Sequence, residues 1–293
     1  MSSQPALFPE LSTKTIVNVA SVRHLSPFRY PGGKTWLVPR IRQWLYSLAE
    51  RPKIFVEPFC GGGIVSLSVA TEKLAERVVM VELDDDVAAV WKTCLSDEAA
   101  WLAQRILDFE FTAKNVADVV QQEAATPKEH AFKTILRNRV NHGGILAPGS
   151  GTIKKGENGR GLSSRWYPET LAKRIHHITR LRERIDFIHG DGMAVIERYA
   201  QNSRALFFVD PPYTASRKKA GRRLYLHSEL DHERLCGLVS TVAGDFLMTY
   251  DNTEEVHHLA AEHRFDTEAV AMKNTHHAKM TELLIGRDLS WMR

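Results

Sequence analysis

Residues 206–215 read LFFVDPPYTA. An apolar run ends on Asp210, and Pro211 and Pro212 follow. Two prolines stop a strand and remove two backbone donors, which leaves carbonyl oxygens as acceptors. An acidic acceptor, such carbonyls and the aromatic face of Tyr213 at one strand end suit a planar amine. Asp210 and the Pro211 carbonyl can each accept one hydrogen of an –NH2 group while Tyr213 stacks on its ring. Ligands of open α/β sheets usually bind at strand ends, which favours this reading over a rigid turn capped by Asp210.

A second constellation is FVEPFCGGG, residues 55–63. A strand ends, the chain turns on glycines and a helix begins. Glycine permits positive φ and close approach of a ligand to the backbone. Glu82 lies 21 residues beyond Gly61 in VVMVELDDD, about where a nucleoside-binding sheet places the carboxylate that accepts from ribose hydroxyls. The strict GxGxxG of dinucleotide enzymes is missing, since Ile64, Val65 and Ser66 follow Gly63. A third stretch, FRYPGGKT at 28–35, invites a phosphate-loop reading. That loop requires glycine where this chain has Phe28, so a nucleotide triphosphatase is set aside. Lys34 could instead meet a carboxylate, with Tyr30 packed against a flat group.

These residues need a scaffold, and hydrophobic spacing supplies one. A helix is predicted over 35–49 and a strand over 54–56. After the glycine turn come a helix over 64–74, a strand over 77–81 and a helix over 84–94. Beyond residue 185 the pattern returns. Strands at 185–188 and 206–209 flank a helix, and a helix at 229–242, a strand at 246–250, a helix at 253–262 and a strand at 283–285 follow. This order is the signature of an α/β fold with a doubly wound, mostly parallel sheet. Between the halves, residues near 100–140 look helical. His142–Gly161 holds seven glycines in twenty residues and reads as a long loop or hairpin. The expected division is a lead-in at 1–25, a catalytic domain formed by 26–96 and 185–293, and a mainly helical insertion at 97–184.

Composition narrows the class. Of 293 residues, 43% are apolar and 25% charged, as in ordinary soluble globular proteins. No apolar run is long enough to span a membrane. The first residues lack a basic flank followed by an apolar core, so no secretory signal is expected. Three dispersed cysteines, Cys60, Cys94 and Cys236, without a CxxC, point to a reducing compartment and away from structural zinc. The paired histidines His176–His177, His257–His258 and His276–His277 are adjacent and point apart, so no metal is expected. The net charge is only +4, yet Lys133–Arg184 carries twelve Lys or Arg against three acids. A basic segment in an acidic remainder fits either a footprint for a polyanion or a solvated face.

FRYPGGK, FVEPFCGGG and VDPPY in this order resemble the Dam-like DNA adenine N6-methyltransferases, from about residue 26 to the strand near 285. The resemblance implies a Rossmann-like methyltransferase sheet, with a target-recognition domain inserted before the DPPY segment, and S-adenosyl-L-methionine as cofactor. It implies that Tyr30 and Lys34 flank the cofactor and that the turn from Pro58 through Gly61 and Gly63 cradles its methionine part. Glu82 would take the ribose hydroxyls and Asp191 would lie near the cofactor's adenine. Asp210 would belong to the cofactor site as well as to the catalytic segment Asp210, Pro211, Pro212 and Tyr213. Tyr30 stands where some relatives carry Trp, and Glu82 where Asp is common.

The expected reaction is direct in-line methyl transfer to the N6 amine of an adenine flipped from double-stranded DNA. In the insertion, Arg137, Asn138, Arg139 and Asn141 are candidates for reading base edges. Lys154, Lys155, Arg160 and Arg165 are candidates for phosphate contacts. Arg217, Lys218, Lys219, Arg222 and Arg223 follow DPPY directly and would hold the distorted backbone. Cytosine N4, an RNA base and a protein glutamine remain alternative acceptors. The resemblance further implies a cytoplasmic enzyme of prokaryotic or phage origin and admits a cognate restriction enzyme as partner.

Overall fold

The computed structural model describes residues 15–154, 156, 159–212, 230–273 and 279–293. Seven strands form one sheet: β1 (Ile54–Glu57), β2 (Arg77–Glu82), β3 (Ile185–His189), β4 (Ala205–Val209), β5 (Asp245–Asp251), β6 (Asp266–Lys273) and β7 (Lys279–Gly286). Their spatial order is β3-β2-β1-β4-β5-β7-β6. The first five run parallel, and β7 lies antiparallel between β5 and β6. This is the doubly wound, mostly parallel sheet expected from the sequence. Its order reverses between β1 and β4, so the carboxyl ends of those two strands flank the crevice where such sheets bind ligands.

Among the described residues the α-helices are α1 (Val38–Ser47), α2 (Ile64–Glu72), α3 (Asp85–Cys94), α4 (Ala99–Leu107), α5 (Ala113–Gln121), α6 (Pro127–Val140), α7 (Pro168–Thr179), α8 (Gly192–Tyr199), α9 (His232–Ser240) and α10 (Glu254–Glu262). Local chemistry sets their starts. Asp84 caps α3 by accepting from the Val87 amide at 3.1 Å, with Asp85 and Asp86 in the first turn, where the helix dipole favours anions. Thr126 and Glu129 form a reciprocal capping box on α6, and Pro127 occupies its first turn. The helix expected over 35–49 opens instead as a tight 3-10 turn, Thr35–Leu37, before α1.

Strand residues alternate between two apolar clusters, as the two-residue period requires. Phe55, Val78, Met80, Phe208, Leu247 and Leu284 face α1, α2 and α3. Val56, Val79, Val81, Phe207, Val209 and Met248 face α8, α9 and α10. All five residues of β4 are buried, which is why its sequence is a continuous apolar run. Helices α4 to α7 lie between β2 and β3 and extend the first cluster through Leu102, Ile135, Leu136, Ile175 and Ile178. The glycine-rich stretch after α6 turns back on itself: Asn141 and Thr152 form an antiparallel bridge, and the Ile153 amide donates to the Val140 carbonyl at 2.8 Å. Among the described residues, no helix is long and apolar enough to cross a membrane.

Candidate active site

Asp210 leaves the end of β4. Val209 pairs with Met248, so the next residue on each parallel strand, Asp210 and Thr249, come side by side. The Thr249 hydroxyl donates to Asp210 Oδ1 at 2.7 Å. Lys34 Nζ reaches the same oxygen at 2.8 Å, and it reaches Glu282 Oε1 on β7 at 3.2 Å. It also donates to the Gly32 carbonyl at 2.9 Å. Lys34 is only 4% exposed. Breaking a buried pair of this kind costs about 3–5 kcal/mol, because one charge is left uncompensated. The lysine of the sequence motif thus meets carboxylates, and it ties the start of the chain to β4 and β7.

The site is rich in carboxyl groups. Glu57, the last residue of β1, is buried and accepts from the Ser66 amide of α2 at 2.9 Å. Burial pushes its carboxyl up to about 8, with Asp210 adding to the rise and Lys34 opposing it. Asp251, at the end of β5, is likewise raised by burial, and Lys34 again opposes. Four carboxyl groups therefore feel one ammonium. Tyr250, raised by burial, bonds His232 Nδ1 at 2.9 Å through its hydroxyl.

The glycine turn stands beside this group. Gly61 has φ +44° and Gly63 φ +61°, both in the region that favours glycine. A Cβ on Gly61 would lie 2.5 Å from the Tyr30 ring, and one on Gly62 2.7 Å from Tyr30 Cβ. Tyr30 thus packs directly on the turn. The Gly61 carbonyl accepts from the Trp91 indole at 2.9 Å, which fixes the turn from α3. Glu82 ends β2 and accepts three amide hydrogens: from Gly61 at 3.0 Å, Leu83 at 2.8 Å and Asp84 at 2.9 Å. Burial raises its carboxyl to about 7 against the pull of those amides. Glu82 pairs with His189 in register, and the Gly190 amide donates to the Glu82 carbonyl at 3.0 Å. Asp191 therefore follows β3 next to the end of β2, where it caps α8 through the Met193 amide. Pro58 is buried and its carbonyl faces Gly192, where a Cβ would come within 2.1 Å.

Tyr30, Lys34, Pro58, Gly61, Gly63, Glu82, Asp191 and Asp210 thus gather at the carboxyl ends of β1 to β4. Pro211 is buried and Pro212 half-buried at the same end. Tyr213, Lys155, Arg217, Lys218, Lys219, Arg222 and Arg223 lie outside the described residues. Glu57, Thr249, Glu282 and Gly192 were not anticipated. Glu57 sits inside a quoted motif and could have been found there. Glu282 and Thr249 lie in strands with no local signal of a role.

The proposed base readers are placed differently. Asn138 is fully buried. Its amide donates to the Arg29 and Gly144 carbonyls at 2.9 and 2.7 Å, and its oxygen accepts from the Arg29 amide at 2.9 Å. Arg139 is 4% exposed and donates to the Pro27 carbonyl. Both side chains serve internal backbone groups, which corrects their expected place on base edges. Asn141 is buried on the Ile145 carbonyl and the Ser150 hydroxyl. Arg137 pairs with Asp86 at 2.5 Å and donates to the Leu146 carbonyl at 2.8 Å. A cleft of about 420 Å³ between α5, α6 and the glycine-rich loop has Arg137 and Asn141 in its wall. Lys154 and Arg160 are exposed and Arg165 half-buried. No group of three potential metal ligands occurs among the described residues.

A family model described as D12 class N6 adenine-specific DNA methyltransferase matches residues 30–275. No curated protein matches the chain. Among solved structures, a Pyrococcus horikoshii protein described as a candidate RNA methyltransferase is similar over 92% of each chain, at 10% identity and a TM-score of 0.42. A methyltransferase of Geobacter sulfurreducens is similar over 88% of this chain and 80% of its own, at 15% identity and a TM-score of 0.39. A precorrin-6y C5,15-methyltransferase of Geobacter metallireducens is similar over 88% and 91%, at 8% identity and a TM-score of 0.38.

Proposed function

Because the chain belongs to the D12 class N6 adenine-specific DNA methyltransferase family, we propose that Asp210 and the Pro211 carbonyl grip the amine of an adenine turned out of the duplex. The activity of the family is methyl transfer to N6 of adenine in DNA, with S-adenosylmethionine as donor. The observation that carries the residue assignment is the fixing of Asp210 by Lys34 and Thr249 at the end of β4, next to the turn that leaves β1.

The donor set suits that cofactor. Asp210, Asp251 and Glu282 lie around one lysine, so a ligand carrying a sulfonium and an ammonium group meets an acidic excess, while the neighbouring Glu57 keeps its proton up to about 8. We assign the methionine part to the turn at Pro58, Gly61 and Gly63, with Tyr30 and Lys34 at its border. We assign the ribose hydroxyls to Glu82 and the adenine end to Asp191. When bound, the cofactor supplies an electrophilic methyl group, so no covalent enzyme intermediate is required.

The remaining work falls to the chain. The amino nitrogen of adenine is a poor nucleophile, because its lone pair is delocalised into the ring. Taking one hydrogen on Asp210 and the other on the Pro211 carbonyl favours a pyramidal nitrogen with a localised pair. Lys34 and Thr249 orient the carboxylate before the base arrives, and such preorganisation is where the rate gain lies. The proton leaves after transfer, so a strong general base is not needed. Flipping the base costs a few kcal/mol, and stacking on Tyr213 would offset about 1–3 kcal/mol of it.

Residues 97–184 we assign to target recognition, with Lys154, Lys155, Arg160 and Arg165 on phosphates and Arg137 and Asn141 at the cleft. Asn138 and Arg139 shape that region from within. The unpaired, buried cysteines suit a reducing compartment, and we place the enzyme in the cytoplasm. A restriction nuclease blocked by the same modification is the protein partner we would seek. Expression in a host without DNA methylation, followed by long-read detection of modified bases, tests the reading. N6-methyladenine at one recurrent motif is expected; N4-methylcytosine, or modified RNA or protein with unmodified DNA, would overturn it.

A further inference from the structure

Strand β7 lies between β5 and β6, and Leu283, Leu284 and Ile285 give it a buried, apolar run. Glu282 opens that run with a carboxyl group only 6% exposed. Register sets it opposite Asp251 on β5 and Val270 on β6. Thr249 stands two residues before Asp251 and shares its face. Leu284, opposite Thr249, packs in the cluster under α1, α2 and α3. Thr249, Asp251 and Glu282 therefore line the face from which Lys34, shortly before α1, reaches the sheet. A slip of one residue in β7 would carry Glu282 to the other face.

Fold stability does not account for such a residue. Two acidic side chains directly opposite each other on neighbouring strands repel, and apolar residues in place of a buried ion pair are often as stable or more so. The contact with Lys34 does account for it. An ammonium carries three hydrogens. Asp210 Oδ1 stands 2.8 Å from Lys34 Nζ, the Gly32 carbonyl 2.9 Å and Glu282 Oε1 3.2 Å, so partners lie on the end of β4, on the turn before the lysine and on β7. Strands β4 and β7 are separated by β5, which is roughly 10 Å at two strand spacings. Lys34 bridges them, and Thr249 of the strand between donates to Asp210 Oδ1. Held from β7, the ammonium has a set place. Shared with Glu282, it also draws less on the accepting strength of Asp210 than an exclusive pair would.

We propose that Glu282 is a positioning residue for methyl transfer: it holds the Lys34 ammonium from β7 and so sets where Asp210 meets the amine of the target base. The inference rests on the assignment of Asp210 as the acceptor of that amine. Glu282 acts through Lys34 and touches neither the base nor the transferred methyl group. Its effect therefore falls on the rate of the bound complex and depends on the lysine being present. A carboxylate that only drew in the cationic cofactor would act on cofactor affinity and not on that rate.

The test is tritiated methyl transfer to duplex DNA at saturating S-adenosylmethionine, with rates expressed per cofactor-binding site counted by calorimetry. Glu282→Gln should lower kcat by about 10- to 100-fold, the scale of a small misplacement of the reacting groups, and Lys34→Gln should lower it at least as far. The double variant should lose little beyond Lys34→Gln alone, since no ammonium is then left for Glu282 to hold. Glu282→Asp keeps the charge but ends one carbon short of Lys34, so it should recover cofactor affinity more fully than kcat. That split decides the matter if Lys34→Gln does not fold. A Glu282→Gln rate equal to the parent's once the cofactor saturates overturns the inference, and so does a loss that adds in full to that of Lys34→Gln. With Asp210→Ala inactive, either result strikes Glu282 alone. Turnover by Asp210→Ala near the parent's would instead overturn the reading of Asp210 on which the inference rests.

Discussion

The carboxyl group of Glu57 illustrates how a residue can sit inside a motif and serve it indirectly. It touches the Ser66 amide, senses both Asp210 and Lys34, and is pushed by burial up to about 8. Its ordinary value is 4.5, so an unfolded chain releases this proton first as pH rises. Below 4.5 both states hold it, and above 8 neither does. Between the two values the folded form alone retains it, so stability must fall as pH rises through that window. Glu57→Gln keeps the shape and removes the proton. Its melting temperature should therefore lose most of the decline that the parent shows between pH 4.5 and 8. A parent and variant with parallel profiles would mean that Glu57 is ionised in the fold.

At the scale of elements, the site is a property of strand ends. β1 delivers Glu57 and Pro58, β2 Glu82, β3 Asp191 and β4 Asp210, and α8 must start close against β1 to complete the row. Gly192 makes that possible. A Cβ there would stand 2.1 Å from the Pro58 carbonyl, and backbone cannot yield as a side chain can. Gly192→Ala should cost about 1–3 kcal/mol of stability and weaken binding of S-adenosylmethionine, measured by thermal melting and calorimetry. Unaltered binding would show that α8 does not set the turn. Much of this was legible in the sequence. The buried strands announce themselves as apolar runs, and Asp210, Glu82 and the glycines fall where such strands stop. β6 was not anticipated, because Asp266, Thr267 and Glu268 give an edge strand a polar start. Glu282 was missed because it joins Lys34 across 248 positions, a partnership that only the β5–β7 register creates. Asn138 and Arg139 looked like a basic, amide-bearing helix face, yet α6 turns that face inward onto the segment before Tyr30.

At the scale of the whole molecule, carboxyl groups gather around Lys34 at the strand ends, while along the sequence the basic residues are concentrated in Lys133–Arg184. Arg217, Lys218, Lys219, Arg222 and Arg223 add five positive charges just beyond DPPY. Neutralising all five should flatten the salt dependence of DNA binding, by up to about 0.9 in slope for each charge that meets a phosphate. An unchanged slope would mark that run as a solvated loop. Every part of this design converges on the carboxylate at the end of β4. The most direct measurement is transfer of a tritiated methyl group to duplex DNA by Asp210→Ala, with a calorimetric titration of S-adenosylmethionine in parallel. Transfer should fall by about 10²–10³, as when one preorganised hydrogen-bonding group is removed from a reacting centre, while S-adenosylmethionine still binds, more weakly, through Tyr30, Glu82 and the Gly61–Gly63 turn. Turnover close to the parent's would contradict the assignment of Asp210 as the acceptor of the amine.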